Sequence, residues 1–119
     1  MATYAPVLLS GTPASGRVIP VAATATPGTL IHTCVSGAAA WDEVYLYASN
    51  VTGSAATLTI EWGGVTDPGD HMVKALSIPA NSPPIPIVTG IRMNGGLVIR
   101  AFSGTGSAIN ISGNINRIS

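Results

Sequence analysis

From residue 28 onward the chain alternates apolar and polar positions with period two, the spacing of strands that bury one face. Residues 29–35 set Leu30, His32 and Cys34 against Thr29, Ile31 and Thr33. Residues 43–48 place Val44, Leu46 and Ala48 on one face and Tyr45 and Tyr47 on the other. In 57–62, Leu58, Ile60 and Trp62 are expected inward, Thr57, Thr59 and Glu61 outward, and Gly63-Gly64 ends the run. Strands at 72–78 and 85–92 follow across a Pro-rich link (Pro79, Pro83, Pro84), then one at 97–102. Last, Ile109, Ile111 and Ile115 alternate with Asn110, Ser112, Asn114 and Asn116. Asn94-Gly95-Gly96 predicts a type I′ hairpin joining 85–92 to 97–102, since that turn needs positive φ at both central residues. Gly104-Thr105-Gly106 reads as another hairpin turn.

The pattern predicts an all-β fold, a single-domain β-sandwich or jelly roll of seven to eight antiparallel strands. Residues 1–27 differ: they hold Pro6, Pro13, Pro20 and Pro27, and proline blocks helices and central strands. They are expected as an extended arm with short edge pairing, draped over its own sandwich or over a neighbour because Tyr4, Val7, Leu8 and Leu9 are too apolar for a free linker. Residues 28–119 would form the sandwich.

Charge changes the picture most. Charged residues make up 8% of the 119, against roughly a quarter in ordinary soluble domains. The solvated Lys/Glu/Asp coat is replaced by Thr, Ser, Asn and Gly, and surfaces covered by partners are depleted in charge because each buried charge must be desolvated. Five basic residues balance five acidic ones, which removes the drive toward nucleic-acid backbones or anionic membranes. No stretch is long and apolar enough for a membrane-spanning helix, and the N-terminus lacks a signal-peptide pattern, so use without export is expected. The single cysteine, Cys34, excludes an internal disulfide and is expected as a small buried hydrophobe.

Chemistry is sparse. His71 with Asp67 and Asp70 makes a conceivable metal set, but no zinc or calcium spacing matches, and Asp67 and Asp70 fit better as caps of local amides. There is no Gly-x-Ser-x-Gly elbow, and Asp42 and Glu43, adjacent on a strand, point to opposite faces. The expectation is no enzyme, with no catalytic, cofactor-binding or metal residues and no cofactor. Trp41, Trp62, Tyr45 and Tyr47 raise a sugar-stacking alternative, but outward Tyr45 and Tyr47 equally suit a protein interface.

Several segments then look familiar together: Thr26-Pro27-Gly28-Thr29-Leu30-Ile31-His32 within 22–33, Asp42-Glu43-Val44-Tyr45-Leu46-Tyr47 within 42–50, and Leu58-Thr59-Ile60-Glu61-Trp62-Gly63-Gly64. Val98-Ile99-Arg100-Ala101-Phe102 and the closing 111–118 complete the set. Over roughly 20–118 the chain resembles small virion proteins from the head-gene cluster of tailed bacteriophages, the capsid cement or decoration proteins. The resemblance implies a sandwich or jelly-roll subunit, a homotrimer, bound on the outer capsid surface near local threefold positions and clamping adjacent major capsid subunits. It would be made in the host bacterial cytoplasm. Tyr4, Val7, Leu8, Leu9, Arg17, Tyr45 and Tyr47 are the expected interface residues, and removal of 1–16 is expected to abolish particle binding while the sandwich stays folded. The competing expectations are another virion part, such as a tail component or fibre base, and a carbohydrate-binding module.

Overall fold

The alternating runs pair into two antiparallel sheets laid face to face, in a computed structural model that describes residues 3–13 and 15–119. Met1, Ala2 and Ala14, part of the expected arm, lie outside the described residues. The strands are β1 (Tyr4–Val7), β2 (Ile19–Pro20), β3 (Thr29–Thr33), β4 (Trp41–Asn50), β5 (Ala56–Trp62), β6 (His71–Ile78), β7 (Ile85–Met93), β8 (Val98–Ser103) and β9 (Ile109–Ile118). No helix occurs among the described residues. One sheet runs β1-β9-β4-β7, with β2 also pairing β9; the other runs β3-β8-β5-β6. From β3 on, every connection except β5–β6 crosses between sheets, which is jelly-roll connectivity.

Both expected glycine hairpins are therefore corrected. The 94–96 turn does form, with Gly95 and Gly96 at φ 73° and 68°. Yet β7 pairs with β4 in one sheet while β8 lies between β3 and β5 in the other. Gly95 and Gly96 donate their N–H groups to the carbonyls of Gly37 and Val35, so the turn docks on the β3–β4 link. The 104–106 turn likewise carries the chain across, from β8 to β9. A local turn signal fixes the bend but not the strand partner, which long-range pairing decides.

The core fills the space between the sheets. Val44, Leu46 and Ala48 of β4 and Ile109, Ile111 and Ile115 of β9 face Leu58 and Ile60 of β5, Ile99 and Ala101 of β8, and Ile31 of β3. Each large side chain so buried contributes roughly 1.5–3 kcal/mol relative to exposure. Trp62 is half-buried and packs against this core, as its phase with Leu58 and Ile60 implies.

Strict alternation fails in β3 and β5. A register shift between Leu30 and His32 buries the consecutive residues Ile31 and His32, whereas alternation placed them on opposite faces. On β5, Thr59 and Glu61 face away from the core as expected, but neither meets water. Glu61 is fully buried (0% exposed) because the chain folds back over it: Gly28 N–H donates to its Oε1 at 2.6 Å and the Thr26 hydroxyl to its Oε2.

The described N-terminal residues pair onto the sandwich. β1 pairs with the end of β9 (Tyr4 opposite Ile118, Val7 opposite Ile115), and β2 with Ile111 and Asn110. Between them, the 8–18 loop reaches the free edge of β3, where Gly11 N–H donates to Ile31 O at 2.9 Å. Leu9 (6% exposed) enters the core there, so removing 1–16 would uncover core and an unpaired β3 edge. The opposite edges, β6 and β7, are open but guarded against strand addition. β6 carries exposed Lys74 and then Ala75 in the left-handed region (φ 51°), and β7 carries Pro86, which has no N–H.

Candidate functional site

The burial of β4 alternates without a break, half-buried then buried from Trp41 to Asn50. Its outward row is Trp41, Glu43, Tyr45, Tyr47 and Ser49, and each has a register partner on β9: Ile118, Asn116, Asn114, Ser112 and Asn110. β7 adds Arg92 opposite Glu43 and Thr89 opposite Tyr45. The result is a panel of Tyr, Asn and Ser on a paired sheet, with its only charges, Glu43 and Arg92, at one end. Gly90, held at φ 88°, leaves room for the Tyr45 ring, whose hydroxyl oxygen stands 3.4 Å from where a Cβ would sit.

Tyr45 is fixed at both ends, because its hydroxyl donates to Glu43 Oε1 at 2.8 Å. That bond, with Arg92 Nε 3.4 Å from Oε2, holds the Glu43 carboxyl below the usual carboxylate range against some opposing desolvation. The same bond pushes the Tyr45 phenol above its ordinary value. A preset aromatic loses little rotamer freedom on binding, which suits recognition.

The structure gathers some of the expected interface residues and separates others. Tyr4 (64% exposed) sits in register with Ile118, itself opposite Trp41, so it extends the panel at its charged end. Val7 is half-buried against the core. Leu8 and Arg17 are exposed, but on the loop bridging to β3 rather than on the panel. Leu9 is inside. The β9 residues Asn110, Ser112, Asn114 and Asn116 were visible in the sequence only as the polar half of an alternation.

A second constellation, unseen in the sequence, lies beneath one end of the panel. Asp42 receives four donors: His32 Nε2 at 2.8 Å, Val35 N at 3.1 Å, and Arg117 Nε and Nη2 at 2.7 and 2.9 Å. Burial pushes this carboxyl up, but the bonds from Arg117 and then His32 outweigh it and hold it below the usual range. His32 Nδ1 accepts from Ser10 N–H at 3.2 Å, which puts the ring proton on Nε2, toward Asp42. Ser10 Oγ also lies 3.2 Å from Nδ1 and accepts from Thr33 N–H at 2.7 Å. The order Ser10–His32–Asp42 is that of a nucleophile chain, but Nδ1 is already used by the Ser10 amide. The arrangement fastens the N-terminal loop to β3 and β4.

His32, Cys34 and Asp42 present ligand atoms within 4.8 Å of one another. A cation there would have to displace donors from both Asp42 oxygens and sit beside the Arg117 guanidinium, so the set reads as an ion-paired anchor. Cys34 is buried, and burial with the nearby Asp42 charge pushes its thiol up to about 12, away from the thiolate. Of the conceivable His71–Asp67–Asp70 set, Asp70 caps Thr66 N–H at 3.0 Å, as expected. Asp67 instead pairs with Lys74 at 2.7 Å. His71 stands 3.5 Å from Asp67 and 4.0 Å from Glu61 and meets the Phe102 ring edge-on.

No family model, curated protein or solved structure matches this chain.

Proposed function

We propose that this chain is a structural virion protein, a cement or decoration protein that binds the outer surface of a tailed-phage head and stabilises contacts between major capsid subunits. The observation that carries the reading is the open Tyr/Asn/Ser panel on the five-stranded sheet, in a chain of which only 8% of the residues are charged. Tyr supplies rigid contact area while Asn and Ser supply adaptable hydrogen bonds, the chemistry of protein recognition surfaces. Guarded β6 and β7 edges direct contact to a sheet face instead of edge-to-edge strand addition. A rigid jelly roll repeated over a lattice stabilises by many modest contacts, so no single tight site is required. In this reading the partners are the major capsid protein and two further copies of the chain, and the protein acts by binding, without catalysis.

The test is the copy number of this chain relative to the major capsid protein in purified particles. Near-stoichiometric incorporation is expected. A handful of copies per particle would transfer the chain to the tail or a vertex, and complete absence would overturn the virion reading.

A further inference from the structure

At the charged end of the panel the surface dips into a cleft of about 320 Å³ lined by Trp41, Arg92, Met93 and Asn94. The Arg92 guanidinium carbon lies over the Trp41 ring, 5.3 Å from its centroid. Only Arg92 Nε is engaged, by Glu43 at a long 3.4 Å, and among the described residues the two terminal nitrogens donate to no group. Asn94 is anchored through its own amide, which donates to Ala40 O at 3.1 Å. A guanidinium lying over an aromatic ring and held through one nitrogen leaves its two terminal nitrogens for a planar two-oxygen acceptor, a use Lys cannot reproduce. Of the other four basic side chains, Arg117 is spent on Asp42, Lys74 on Asp67, Arg100 leans on Gly28 O, and Arg17 stands exposed with no aromatic ring beneath it among the described residues.

We infer that this cleft is a carboxylate-recognition site, which takes an acidic side chain of the partner protein edge-on to Arg92 while Trp41 and Met93 pack the stem of that side chain. The inference rests on reading the panel as a recognition surface and supplies its one charged specificity element. Glu43 acts as the internal placeholder: it holds the guanidinium by one nitrogen and leaves the two terminal nitrogens for the incoming carboxylate.

The probe is a short capped peptide, Ala-Glu-Ala, added to the isotope-labelled full chain while the Trp41 indole and Arg92 side-chain resonances are followed. The Gln counterpart is the uncharged control and inorganic phosphate the rival oxyanion. Saturable shifts at both residues are expected, with the Gln peptide about tenfold weaker and Arg92→Lys weakening the Glu peptide about fivefold. Equal binding of the Gln peptide, unchanged binding by Arg92→Lys, no saturable shift at millimolar peptide, or tighter binding of phosphate would each overturn the inference. The Tyr47→Ala variant, which leaves Glu43 and its bond from Tyr45 in place, keeps peptide binding if the cleft is as described, even where it weakens particle binding. Failure of the cleft is thereby distinguished from failure of the panel.

Discussion

The two outward sheet faces of this sandwich are built from the same alternation but finished differently. The four-stranded sheet turns Glu61, His71 and Phe102 outward, then covers them with its own chain: Thr26 and Gly28 close on Glu61, and the 63–70 loop, with the Asp67–Lys74 pair, lies beside His71. The five-stranded sheet turns Tyr45, Tyr47, Ser49 and the Asn/Ser row of β9 outward and leaves them half-exposed. Charge is concentrated where the chain seals itself and is nearly missing where it does not. A face that is neither covered by its own loops nor coated with charge is suited to being covered by something else, and this contrast underlies the proposed function.

Four substitutions probe the two faces and the anchor between them. Asp42→Ala should have the largest effect, because it leaves the half-buried Arg117 guanidinium without its counter-charge and the buried His32 Nε2–H without its acceptor; a loss of about 3–5 kcal/mol in denaturant unfolding is expected. The same carboxyl gives a pH signature. Its folded value lies below the usual one, so its stabilisation is present above the unfolded value and lost as pH falls through the folded one. Unfolding stability should therefore decline below about pH 4, with a smaller slope in Asp42→Asn.

Glu61→Ala opens the sealed face. Gly28 N–H loses its acceptor, stability should fall by about 1–3 kcal/mol, and limited proteolysis should quicken within 22–28. The Tyr45→Ala/Tyr47→Ala double variant tests the open face, with little stability lost (about 1 kcal/mol per ring) but particle binding reduced at least about tenfold. If both faces were equivalent, Glu61→Ala would impair binding as much. Smallest in stability, within about 0.5 kcal/mol, is Lys74→Ile, which removes the charged guard of the β6 edge. Its readout is self-association at rising concentration by light scattering.

Much of this fold was legible in the sequence, because a sheet with one buried face must alternate. β4, β5 and β9 declare themselves through Val44/Leu46/Ala48, Leu58/Ile60 and Ile109/Ile111/Ile115. Strand partners were not legible. Asn94-Gly95-Gly96 signals a bend, and nothing local tells whether the chain returns beside β7 or crosses to the other sheet. Covering was equally hidden: Glu61 looks like a solvent residue until Thr26 and Gly28, more than thirty positions away, close over it. The bulge that buries Ile31 beside His32 leaves no mark in the residue types. Of the candidate site, Tyr45 and Tyr47 could be read from phase alone. The Asn row acquires meaning only once β9 is known to lie in register with β4, and the Asp42–Arg117 pair spans 75 positions.

The most direct test of the contrast is hydroxyl-radical footprinting of the protein free and bound to purified phage heads. Tyr45, Tyr47 and Trp41 should be protected on binding, with Met72 of the four-stranded sheet left as reactive as in the free protein. Protection of Met72 with Tyr45 and Tyr47 unchanged would contradict it and assign the contact to the opposite face.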